Sequence, residues 1–121
     1  MKASVFIQTN HKQITGAIVA EHALRRYSQN NDRFDVVIMD TRDYPMFAAR
    51  EGQQYLRDGV AREWLNDDLQ SFTPTRFMPP KLMDFERRAV VIDPDIFAPT
   101  DIWELLSRDM QGKAIMCRMR S

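Results

Sequence analysis

The segment from Lys2 to Asp40 constrains the fold more than any other. KASVFIQT (Lys2–Thr9) is rich in β-formers and FDVVIMD (Phe34–Asp40) is a second such run, while the residues between them carry a helical period. From Gln13 to Tyr27, Ala17, Ala20, Leu24 and Tyr27 recur at spacings of three and four, with His22, Arg25, Arg26 and Gln29 on the other side. Asn10, His11 and Lys12 make the turn into this helix, and SQNND (Ser28–Asp32) ends it. A connection of this length crosses over the sheet instead of turning back, so the two strands are expected to be parallel, as a βαβ unit.

The remainder extends the same pattern. Leu56, Val60 and Trp64 recur at a spacing of four between Gln53 and Leu69 and predict a helix there, although Gly59 weakens it. SFTPTRFMPPKLMDF (Ser71–Phe85) has three prolines and reads as a connector, with at most a short helix starting at Pro74 and ending before Pro79. Arg88–Asp93 is a third strand, apolar enough to be covered on both faces. A helix is expected from about Thr100, its N-cap, to Asp109, and a last strand over Lys113–Arg118. At 121 residues and 14.2 kDa this is one domain, residues 1–121, of the α/β class, three-layer α/β/α with a mostly parallel sheet.

Charge and cysteine content exclude several functions. The chain carries 17 basic and 17 acidic side chains, so no net field draws it to nucleic acid or an anionic membrane. The apolar run in MKASVFIQT is too short for a signal-peptide core or a membrane span, and a cytoplasmic location is expected. Cys117 is the only cysteine, which rules out an intrachain disulfide and a multi-cysteine zinc site; its apolar surroundings predict a buried, inert thiol. His11 and His22 have no paired ligand spacing, and the eight methionines are scattered and read as core filler. TNHKQITG carries neither the dinucleotide fingerprint nor the P-loop pattern.

The chemistry concentrates where RRAVVIDPDIF (Arg87–Phe97) ends a buried strand on Asp93, Pro94 and Asp95. If the first strand lies between the other two, the strand order reverses there, and the crevice at the carboxyl ends of the strands is the usual ligand site. Gln8, Thr9 and Asn10 would face Asp93 and Asp95 across it. Two carboxylates on a proline-bent loop can turn toward one point, and their hard oxygens suit Mg²⁺ or Mn²⁺ sharing a diphosphate. Arg76, in the proline-framed connector, is the candidate for a phosphate or ribose contact, whereas Arg25, Arg26, Arg87 and Arg88 read as solvated faces.

The order VFIQTN, helix, FDVVIMD, TPTRFMPP, VVIDPDIF and DIWELL resembles the N-terminal, nucleotide-sugar-binding half of GT-A-fold glycosyltransferases, above all the family 8-like retaining enzymes. The resemblance implies a Rossmann-like, partial GT-A fold and a metal-dependent transfer from a nucleoside diphosphate sugar to an acceptor. It implies that Asp93 and Asp95 hold Mn²⁺ or Mg²⁺, that Asp93 also lies near the ribose, that Thr9 and Asn10 form the nucleotide loop, beside the Gln8 already singled out, and that Arg76 contacts the donor. Such enzymes run well past the acidic motif, and their acceptor site and late metal ligand come from that later sequence. The chain is therefore expected to be the donor-binding half of a longer domain, with its catalytic base unknown. The competing expectation is a non-catalytic α/β module that dimerises through an exposed sheet edge.

Overall fold

The computed structural model describes residues 1–117 and 119. Its centre is β1 (Ala3–Thr9), which pairs in parallel with β2 (Phe34–Asp40) on one side and β5 (Ala89–Ile92) on the other, giving the strand order β2-β1-β5. The register runs from Ala3 opposite Phe34 to Thr9 opposite Asp40, and from Ser4 opposite Ala89 to Ile7 opposite Ile92. The fold is thus α/β with a parallel three-stranded sheet, and the first strand lies in the middle as the reversal of order requires.

Period-two alternation divides the core. Val5 and Ile7 face the crossover helix α1 (Ile14–Arg26) and pack with its buried Ala17, Ala20 and Leu24, and with Phe34 and Leu106. Phe6 points to the opposite face with Met39 and Met83, and Val37, Tyr44, Met78 and Val91 close around them. That second face is covered by the connector, a 3-10 turn over Thr73–Phe77 followed by α3 (Pro79–Leu82). Prolines at the first positions of both pieces suit their fixed φ and missing N–H. Met39 and Met83 fill the core, but Met1, Met46, Met116 and Met119 are exposed.

Several expectations need correction. The stretch expected to be a helix from Gln53 to Leu69 is instead an antiparallel hairpin, β3 (Gln54–Arg57) and β4 (Val60–Glu63), after the short helix α2 (Pro45–Arg50). Asp58 and Gly59 both have positive φ, 52° and 77°, as a type I′ hairpin turn demands, so the Asp-Gly pair outweighed the spacing of four. Trp64 anchors the hairpin edge-on to Tyr55 at 5.4 Å, against Phe47 at 6.3 Å and under Arg50. Residues 113–117 form no strand, and Arg118, the last residue of the expected one, lies outside the described residues. Cys117 is exposed, not buried. Arg25 is more than a solvated face: it lies over the Phe34 ring at 5.0 Å and donates to the Asn31 and Phe34 carbonyls. Arg88 likewise donates to the carbonyls of Leu106 and Arg108. Among the described residues no helix is long and apolar enough to cross a membrane.

The expected C-terminal helix is reduced to α4 (Trp103–Leu106), whose N-cap is Ile102 in place of Thr100, and the Asp101 side chain just before it accepts from the first helical N–H. The Asp101 carboxylate accepts from the Trp103 and Gln29 backbone N–H groups, the Ser28 hydroxyl and the Asn30 amide, tying α4 to the end of α1. Desolvation opposes its ionisation, but these hydrogen bonds outweigh it and hold the carboxyl below its usual range. A carboxyl depressed on folding stabilises the fold above the unfolded value, near about 3.9 for Asp, and loses that contribution as pH falls through its folded value. Asp101→Ala should therefore cost about 1–2 kcal/mol at neutral pH. In urea unfolding, the gap from the unmodified chain should narrow below about pH 4.

Candidate functional site

One step past the paired residues Ile7 and Ile92, the register sets Gln8 beside Asp93 at the carboxyl ends of β1 and β5. By alternation both side chains point to the face carrying Phe6 and Val91, which the connector covers. The Gln8 amide nitrogen donates to Asp93 Oδ1, and Gln8 Oε1 accepts from the buried Thr75 hydroxyl at 3.2 Å. Thr75 Oγ1 also lies 2.7 Å from the Phe72 carbonyl, which pins the 3-10 turn to the sheet. A crevice of about 440 Å³ opens here, lined by Gln8, Arg76, Val91, Ile92, Asp93 and Ile96. Its chemistry is one carboxylate, one guanidinium and one amide on an apolar floor, the usual composition of a small-ligand site.

The turn beyond β5 is a reverse turn closed by the Ile96 N–H on the Asp93 carbonyl at 3.2 Å, with Pro94 buried inside it. Helix α1 packs directly on this turn through Gly16. A Cβ built on Gly16 would sit 2.6 Å from the Pro94 carbonyl oxygen, so only glycine permits the approach.

The structure brings Gln8, Arg76 and Asp93 together and places the other candidates elsewhere. Asp95 is exposed on the far limb of the turn, outside the crevice lining. Thr9 and Asn10 are fully buried and engaged structurally. Asn10 Nδ2 donates toward the Asp68 and Leu69 carbonyls and the Ser71 hydroxyl, and its Oδ1 accepts from the Lys12 N–H. The same loop is held from outside by Asp67, which pairs with His11 at 2.7 Å and Lys12 at 3.3 Å; hydrogen bonds from His11 and then Lys12 keep its carboxyl below the ordinary range.

Sequence reasoning missed Thr75, Ile96 and Gly16. Thr75 and Ile96 flank singled-out residues, Arg76 and Asp95, and that adjacency was their only signal. Gly16 gave none, since its role depends on a chain segment almost eighty residues away. A further missed group stands at the end of β2, where Asp40 grips Arg42 through both carboxylate oxygens. The hydrogen bond from Arg42, against the opposing effect of burial, keeps the Asp40 carboxyl below its ordinary range.

Asp93 supplies a hard oxygen donor at the crevice, with one of its oxygens accepting from Gln8, while Asp95 stands outside the lining. Among the described residues no three His, Cys, Asp or Glu side chains gather as a metal-ligand group. A single carboxylate fits only a cation that takes the rest of its shell from water and phosphate oxygens, as Mg²⁺ can. No family model, curated protein or solved structure matches the chain.

Proposed function

We propose that the crevice binds the nucleoside diphosphate of a sugar donor together with Mn²⁺ or Mg²⁺, and that the chain is the donor-binding half of a GT-A-like glycosyltransferase domain. The observation that carries the reading is the placement of Asp93, held by Gln8, at the point where the strand order reverses, with Arg76 lining the same crevice. Arg76 presents a planar guanidinium suited to phosphate oxygens. Gln8, itself braced by Thr75, holds the Asp93 carboxylate at the mouth of the crevice.

When bound, the metal would offset the charge gathering on the departing diphosphate. In the transfer, the bond between the anomeric carbon and the diphosphate oxygen breaks, and its electron pair leaves with the diphosphate. The acceptor oxygen forms the new bond and gives up its proton to a base outside this crevice.

Titration calorimetry with uridine and guanosine diphosphates, with and without Mn²⁺, tests the reading. One of the two nucleotides should bind only with metal. Asp93→Asn should weaken binding at least about tenfold, as loss of a charged contact worth about 1.4 kcal/mol does, and Arg76→Ala should do so comparably. Metal-independent binding, or the same affinity in Asp93→Asn, would sink it. The second reading, an assembly module, is favoured by β5 having its outer edge unpaired among the described residues. Failure of both nucleotides with a concentration-dependent dimer in sedimentation would select it.

A further inference from the structure

The Thr75 hydroxyl has one proton and two oxygens within reach, Gln8 Oε1 at 3.2 Å and the Phe72 carbonyl at 2.7 Å. The longer contact is the one that needs the proton. The Phe72 carbonyl already accepts from the Thr75 backbone N–H at 2.9 Å. Gln8 Oε1 has no other donor among the described residues, and Gln8 is only 3% exposed. A buried amide oxygen left without a donor is costly, so the proton belongs on the Gln8 side. That assignment fixes the amide: with Oε1 turned to Thr75, Nε2 is turned to Asp93 Oδ1. The reversed amide would set its oxygen against a carboxylate oxygen. The same residue anchors the other charged group of the crevice. Thr75 is fully buried, and its own carbonyl accepts from the Met78 N–H at 2.9 Å, so the 3-10 turn is pinned on both sides of Arg76. Arg76 has no carboxylate partner among the described residues, and its backbone sets its place.

We propose that Thr75 is the positioning residue of the crevice: with one hydroxyl proton and its own backbone it fixes the Asp93 carboxylate and the Arg76 turn relative to each other. Thr75 touches no ligand itself and acts through Gln8 and through the turn. The class of ligand, a metal-bound diphosphate, follows from the nucleotide reading above, whereas the positioning stands on the hydrogen bonds alone. A phosphate shared by a metal on Asp93 and by the guanidinium needs both groups held at once, because such contacts are directional and small displacements weaken them. Valine has the shape of threonine and lacks only the hydroxyl. In Thr75→Val, Gln8 Oε1 is stranded, and the amide swings toward water in the crevice, taking Nε2 from Asp93.

The test has two readouts, both taken on the full chain well below the melting temperature of each variant, so that lost stability alone moves neither. Nitrogen–proton correlation NMR follows the Gln8 side-chain amide without any ligand, its resonances assigned by their loss in Gln8→Met. In the unmodified chain the pair should stand apart from the exposed glutamines and exchange slowly with solvent. In Thr75→Val it should join them and exchange at least about tenfold faster, the equivalent of one hydrogen bond, and Thr75→Ser, which restores the hydroxyl, should return it. Calorimetry with Mn²⁺ and uridine or guanosine diphosphate is the second readout. Thr75→Val and Gln8→Met should each weaken binding at least about tenfold, Thr75→Ser by less than about threefold, and the double variant no more than either single, since both break one relay. An unmoved Gln8 pair in Thr75→Val, or no recovery with serine, overturns the positioning role whatever the nucleotides do. A moved pair with unchanged nucleotide affinity overturns it too. If the unmodified chain binds neither nucleotide, the nucleotide reading falls and the NMR readout decides Thr75 by itself. If Thr75→Val does not fold, full affinity in Gln8→Met overturns the relay and a tenfold loss with retention in Thr75→Ser supports it.

Discussion

Asn10→Ala is expected to destabilise the chain by about 1–3 kcal/mol, because a fully buried amide with its hydrogen bonds to the next loop is removed and the Lys12 N–H loses its acceptor. The lost contacts span the fold. Asn10 sits at the end of the central strand, and the carbonyls of Asp68 and Leu69 and the hydroxyl of Ser71 converge on its Nδ2 from a loop some sixty residues away. That loop is tied in turn to α2 and the hairpin: Asn66 donates to the Phe47 carbonyl, its backbone N–H reaches Glu51, and its Oδ1 accepts from the Trp64 indole. Asn10→Asp is the more telling variant. Aspartate keeps the acceptor for the Lys12 N–H but has no donor, and it turns negative charge toward two carbonyls, so it should be at least as damaging as alanine. Urea unfolding gives the magnitude. Limited proteolysis should show cleavage appearing first between residues 64 and 71.

The second large effect runs against the usual helix rule. Exchanging glycine for alanine within a helix ordinarily stabilises by about 0.8–1.0 kcal/mol. At Gly16 the added methyl would lie 2.6 Å from a backbone oxygen of Pro94, and neither a helix nor a proline turn can give way cheaply. Gly16→Ala should therefore cost about 1–3 kcal/mol in thermal or denaturant unfolding, as overpacking does. It should also weaken nucleotide binding, because relief of the clash displaces the turn that carries Asp93. An unchanged or raised melting temperature would show that α1 and the turn separate easily and that the crevice does not depend on their contact.

What could be read from the sequence was whatever rested on local patterning. The strands over residues 3–9 and 34–40 and the helix between them follow from alternation and a period of three to four, and the structure places them within a residue or two of expectation. The hairpin was missed because Leu56, Val60 and Trp64 imitate a helical stripe, while the decisive signal was a two-residue turn, Asp58-Gly59. Asp93 and Gln8 could be chosen together because strand order alone brings the ends of β1 and β5 side by side, and Arg76 was legible only from its proline-framed connector. Thr9 and Asn10 illustrate the limit. Polar residues just past a strand read as ligand contacts, and only tertiary structure reveals that the loop at residues 66–71 satisfies Asn10.

The strand order also sets a sequence of assembly. The β1-α1-β2 unit closes a connection of modest length, whereas β5 joins β1 from more than eighty residues away and through only four paired residues. Loop closure makes the distant pairing slower to form, and its short ladder makes it easier to open. The hydrogen bond between Gln8 and Asp93 therefore joins the earliest part of the sheet to the latest. In hydrogen exchange the amides of β5 should be the first of the sheet to open, so the crevice exists only while the slowest contact of the chain is made. A ligand bound across that junction would act as the clasp of the whole sheet.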